Sequence, residues 1–60
     1  MSSLENLAEK ADRYVQNGQY AEGRRCWKEL LDSLDYSDWR RGKVQSTIDQ
    51  IDQLIAARGW

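Results

Sequence analysis

The chain has no proline, no histidine and no phenylalanine, and a single cysteine, Cys26, in 60 residues. Without proline nothing locks φ or removes a backbone donor, so no helix is interrupted by a built-in breaker. One cysteine excludes an internal disulfide, and with no histidine beside it no zinc site of ordinary ligand count can be assembled. No cofactor or metal is therefore expected. Cys26 reads as a small filler rather than a reactive thiol, which needs an electropositive, exposed setting. A long apolar run is missing too, so neither a transmembrane helix nor a signal peptide is expected. The expected compartment is the cytoplasm, with no membrane partner. Nor is there a surplus of one charge: 9 basic against 10 acidic residues leave a net charge of −1. A nonspecific nucleic-acid binder would carry a basic excess, and direct DNA binding is not expected. Acid–base catalysis needs positioned groups in a cleft. No such constellation is visible, and the chain reads as a non-enzyme.

What is present is helical period. Leu4, Leu7, Ala8, Ala11, Tyr14 and Val15 form one stripe, the mark of an amphipathic helix. Ser2 and Glu5 stand at capping-box spacing before it. Gly18 can take the left-handed conformation that ends a helix. Tyr20, Gly23, Trp27, Leu30, Leu31 and Leu34 then recur at spacings of three and four, one face of a second helix. Gly23 costs about 1 kcal/mol against alanine inside a helix, so its presence predicts a close approach of the first helix. Alanine there is tolerated only if the pocket has slack. Val44, Ile48, Ile51 and Ile55 make a coiled-coil-like seam on a third helix, with Ser37 as its cap and Gly59 as its stop. Gln45, Asp49, Asp52 and Gln53 read as facing away from that seam. The spacing predicts one all-α domain over residues 1–60, a three-helix bundle with helices at about 3–17, 19–34 and 38–58. Its expected core holds Tyr14, Tyr20, Gly23, Trp27, Leu30, Leu31, Ile48 and Ile51.

Two features exceed scaffolding. Arg40, Arg41 and Lys43 fall in the opening turns of the third helix, where the helix dipole disfavours cations. A partner explains them better than folding does. Together with Trp39 they are the expected protein-binding patch, facing an acidic surface. Tyr36, Trp39 and Trp60 are also too many aromatics for so small an interior. A chain this short buries only about 60% of its unfolded surface. With disulfide and metal excluded, self-association is the remaining common support. The chain is expected to be a homo-oligomer through either the Val44–Ile48–Ile51–Ile55 seam or the Leu4–Leu7–Ala11 stripe.

Tyr14, Gly18, Tyr20, Gly23 and Trp27, with Ala11 before them, resemble the second half of a tetratricopeptide repeat. That resemblance implies an antiparallel helical hairpin. Arrays of such repeats need about three units, and one is present here. A longer likeness covers roughly Ala11 to Ile51. The tyrosine–glycine turn is followed by Tyr20, Gly23 and Trp27 on one helix, then by Trp39, Arg40, Arg41 and Lys43 after a short link. In this order the chain is similar to the small PerC-like and ANR (AraC negative regulator) proteins, although Ser46 to Ile51 departs from their pattern. The resemblance implies a non-enzymatic transcription modulator that binds a regulator protein. The alternative is a phage or plasmid accessory protein that binds and inhibits a host enzyme or defence component.

Overall fold

The first turn forms where Gly18 stands. The computed structural model describes residues 3–58, and in it α1 (Ser3–Gln16) ends at a Gly18 with φ +82°. The Gln19 N–H donates to the Tyr14 carbonyl at 2.8 Å and the Gly18 N–H to the Val15 carbonyl at 3.0 Å. This is a Schellman motif, which satisfies the last carbonyls of a helix and needs a left-handed residue where Gly18 sits. α2 (Tyr20–Ser33) folds back along α1, and α3 (Arg40–Arg58) folds back along α2. The outcome is a three-helix bundle measuring 34 × 22 × 12 Å across its Cα atoms. Each helix is one to two residues shorter at the turns than the periodicity predicts. The Ser2 capping position, the Gly59 stop and Trp60 lie outside the described residues.

α2 is the central element. One side meets α1 at Gly23, where a Cβ would lie 2.6 Å from Val15 Cγ2 and 3.2 Å from the Ala11 carbonyl oxygen. The close approach inferred from a helical glycine is present, and the pocket has no slack. On the other side Leu30, Leu31 and Leu34 form the core cluster with Val44 and Ile48 of α3, and Leu4, Leu7 and Ala8 of α1 pack against it. Ile48 and Ile51 are each only 2% exposed. Asp52 does not face away: its carboxylate accepts a hydrogen bond from Arg24 Nε at 2.5 Å, tying α3 to α2. Farther along, the Arg58 guanidinium lies 5.0 Å from the centre of the Tyr20 ring, within cation–π range.

Three expected core residues stand at the margin instead. Tyr14, Tyr20 and Trp27 are half-buried, whereas Gly23, Leu30, Leu31, Ile48 and Ile51 are buried. The reason is thickness. Helices about 10 Å across leave room between them for Leu and Ile, and bulky rings settle at the seams with one face packed and the other wet. Trp27 accordingly packs against the core cluster on one side. A Trp27→Ala variant should lose about 2 kcal/mol, roughly half the cost of truncating a fully buried aromatic. Chemical denaturation with the cooperativity of the parent would measure this. A loss as large as a full core truncation would place the ring deeper than the structure does.

Both expected self-association surfaces are largely occupied by intrachain packing, with Ile55, Leu4 and Leu7 left half-buried. Val44, Ile48, Ile51 and Ala11 are buried within the single chain, and Leu4 and Leu7 pack on its core. A helix stripe read from sequence looks the same whether it faces its own chain or another, and here intrachain packing took most of both.

Candidate functional site

The connection Leu34–Trp39 joins two helix ends of opposite electrostatic character. α2 carries no basic residue in its last turn, and its final residues turn extended at Leu34 (φ −82°, ψ 141°). The Leu34 N–H reaches back to the Leu31 carbonyl at 3.2 Å and Ser33 Oγ donates to the Glu29 carbonyl at 2.9 Å; a further donor must come from elsewhere. Arg41 supplies it: Nη1 donates to the Leu31 carbonyl at 2.9 Å and to the Leu34 carbonyl at 3.0 Å. The same guanidinium stands 5.7 Å from the centre of the Tyr36 ring. Arg41 is half-buried by these contacts.

The expectation that a partner explains Arg41 better than folding is thus corrected. Considered only against its own helix, a cation at the start of α3 is misplaced. The end of α2, with its negative partial charge, lies within reach of the same side chain, and there a cation is favoured. What decides the sign is the neighbouring helix.

Arg40 is also engaged. Asp38 Oδ1 accepts from the Arg40 backbone N–H at 2.9 Å and from Nε at 3.1 Å, and Oδ2 accepts from Nη2 at 2.7 Å. Asp38, not Ser37, caps α3: its carboxylate takes an orphan N–H of the first turn, and its own carbonyl accepts the Arg41 N–H at 3.1 Å. Asp outranks a hydroxyl here because it also meets the positive helix end and the fork of Arg40. The Arg40 side-chain hydrogen bonds, then its backbone N–H, hold the Asp38 carboxyl down at about 2, against 3.8 for a free one.

A depressed folded pKa adds stability above the unfolded value that is lost as pH falls through the folded one. The advantage of the parent over Asp38→Asn should therefore be full above pH 4 and fade toward pH 2. Thermal midpoints of both proteins across that range would show it. A constant difference down to pH 2 would remove the carboxylate from the cap.

With Arg41 turned to α2 and Arg40 paired, two aromatic rings stand out into solvent from this stretch. Trp39 is 79% exposed and Tyr36 91%. Beside Trp39 lies a groove of about 270 Å³ lined by Trp27, Trp39, Arg40, Lys43, Val44 and Thr47. Trp39, Arg40 and Lys43 of the expected patch thus share one groove, while Arg41 turns away from it to α2. Residues the periodicity did not single out for this surface are Trp27 and Thr47, which form its wall, and Asp38, which orients Arg40. The Asp–Trp–Arg order was the available signal for the last. A second, smaller groove of about 140 Å³ lies between α1 and α3 over Leu30 and Leu34, with Glu5 and Arg40 at its rim.

Cys26 is buried and free. Among the described residues, no three His, Cys, Asp or Glu side chains come together as a metal would require. No helix among them is long and apolar enough to cross a membrane. Comparison of the chain with protein-family models, with curated proteins and with solved structures returned no match.

Proposed function

We propose that the chain is a cytoplasmic, non-enzymatic modulator of transcription that works as a homo-oligomer and acts by binding a regulator protein. The observation that carries the binding role is the 79% exposure of Trp39 beside a groove walled by Trp27 and Val44. A small chain rarely leaves an indole in water beside an apolar recess, and tryptophan with arginine is enriched among the dominant energetic contacts of interfaces. Lys43 and Arg40 at the groove suit an acidic rim on the partner. The link to transcription is supported by the order Tyr20, Gly23, Trp27, Trp39, Arg40, Arg41 and Lys43, in which the chain resembles the PerC-like and ANR proteins.

The test is site-specific crosslinking in cells from a photoreactive residue placed at Trp39, with Trp39→Ala as control in a pull-down. A DNA-binding regulator captured at position 39 and lost with Trp39→Ala is the expected result. An enzyme or defence component captured in its place would favour the accessory-inhibitor reading. Capture that is indifferent to Trp39 would remove this surface from the function.

A further inference from the structure

We propose that the Trp39 groove receives an amphipathic helix of its protein partner, with apolar residues at i, i+4 and i+7 and an acidic residue beside the middle one. This rests on the protein-binding reading above and adds the conformation and chemistry of the bound segment.

Three observations lead there. The first is the run of the groove. Trp39, Lys43 and Thr47 follow one another at four-residue spacing, and all three line it. Side chains at that spacing make one ridge along a helix. Trp27 comes from α2, so the groove lies along the α2–α3 seam. From Trp39 to Thr47 the ridge covers about 12 Å of helix rise. Residues i, i+4 and i+7 of a docked helix cover about 10 Å, so three anchors match its length.

The second is what the groove offers a backbone. An extended segment gains its main-chain hydrogen bonds by adding to an exposed sheet edge. The described residues form three helices and no strand, so there is no such edge here. A helix satisfies its own backbone and lays only its apolar face into a groove. The one hydroxyl among the lining residues, Thr47 Oγ1, already donates to the Lys43 carbonyl at 3.1 Å.

The third is charge. Arg40 is neutralised by Asp38. Lys43 is exposed and has no ion pair among the described residues. It stands one turn from Trp39 and one turn from Thr47, so the acid that meets it belongs beside the middle anchor. A second copy of this chain does not offer such a helix. Of the exposed large apolar side chains among the described residues, only Leu54 belongs to a helix, and one residue makes no stripe.

The experiment is selection of random peptides of about 16 residues, roughly 24 Å long as a helix, displayed on phage against the immobilised full chain. Circular dichroism melts confirm that each variant of the chain is folded. Enriched peptides should carry the i, i+4, i+7 apolar spacing with Asp or Glu beside it, and a proline at the middle of such a peptide should abolish binding. Trp39→Ala should weaken the peptide's binding by about 30-fold, the scale of an interface hot spot. Lys43→Glu should weaken it on the order of 5-fold, and exchanging the peptide's acid for lysine should recover that loss. Enrichment of proline-rich or alternating sequences, or none at all, would overturn the helical occupant. Peptides indifferent to Trp39→Ala would overturn the groove as their seat. A preference for acid that Lys43→Glu leaves unchanged would overturn the charge assignment. No regulator enters this selection. A chain that selects such helices yet crosslinks to no DNA-binding regulator in cells would overturn the function proposed above and leave the groove's preference for a helix standing.

Discussion

Replacing Arg41 with glutamate should lower stability by about 3 kcal/mol, a third or more of what a domain this small has. The same change at Arg40 should leave the fold standing. Arg41 makes two charge-assisted hydrogen bonds, to the Leu31 and Leu34 carbonyls. Bonds from a charged donor are each worth about 1.5–3 kcal/mol in mutational series. Glutamate removes them, leaves the Leu31 carbonyl with only the Leu34 N–H at 3.2 Å, and sets a negative charge against the negative end of α2. A domain of this length has on the order of 3–9 kcal/mol in total, so the loss is a large share of it. Arg40, in contrast, is an exposed partner of Asp38, and exposed pairs contribute little. Arg41→Lys should recover part of the loss: an ammonium keeps the charge and has donors for both carbonyls, which in the parent share the single nitrogen Nη1, but it lacks the guanidinium plane that lies by the Tyr36 ring. Urea midpoints for the four proteins decide this. If Arg41→Glu and Arg40→Glu proved equally mild, the α2 cap would carry no weight. In consequence, a reversal of both arginines would not isolate partner binding, since it also weakens the fold that holds the site. Lys43 and Trp39 can be changed with Arg41 left in place.

The second large effect is expected at Gly23. Gly23→Leu should cost about 3 kcal/mol or more, at the upper end of overpacking, and Gly23→Ala about 1 kcal/mol net. A Cβ at this position meets Val15 Cγ2 at 2.6 Å and the Ala11 carbonyl oxygen at 3.2 Å. Val15 is β-branched and holds one favoured rotamer in a helix, so its methyl has little freedom to retreat. The carbonyl belongs to the α1 backbone and moves only with the helix. Alanine regains about 1 kcal/mol of helix propensity, which offsets part of the clash but not all of it. Val15→Ala removes the methyl that is struck. In that background Gly23→Ala should become neutral or stabilising, a coupling that a double-mutant cycle reads directly. Gly23→Ala that stabilises the chain with Val15 intact would show that the helices stand farther apart.

Much of the architecture could be read from local rules. The Schellman turn at Gly18, the three apolar periods and the glycine contact at Gly23 depend on neighbours three to five residues away, or on a residue too small to serve any other purpose. Such features survive in sequence because backbone geometry and period determine them. Ring burial was less legible. Periodicity states which side of a helix an aromatic occupies but not how much room lies opposite, and Tyr14, Tyr20 and Trp27 came to rest half in water.

The sequence by itself determined three helices, their order, the turn at Gly18 and a chain without disulfide or histidine ligand. Only the tertiary structure decided what the charges and stripes do. It brought the end of α2 against the start of α3, which turned Arg41 from a misplaced cation into a cap. It drew Asp52 onto Arg24 and folded Val44, Ile48, Ile51 and Ala11 of the candidate oligomer stripes into the chain's own core. The physical reason is common to all three. A side chain's sign, burial and partner are set by whatever lies within a few ångströms in space, and helix period records only the residues that share its own helix.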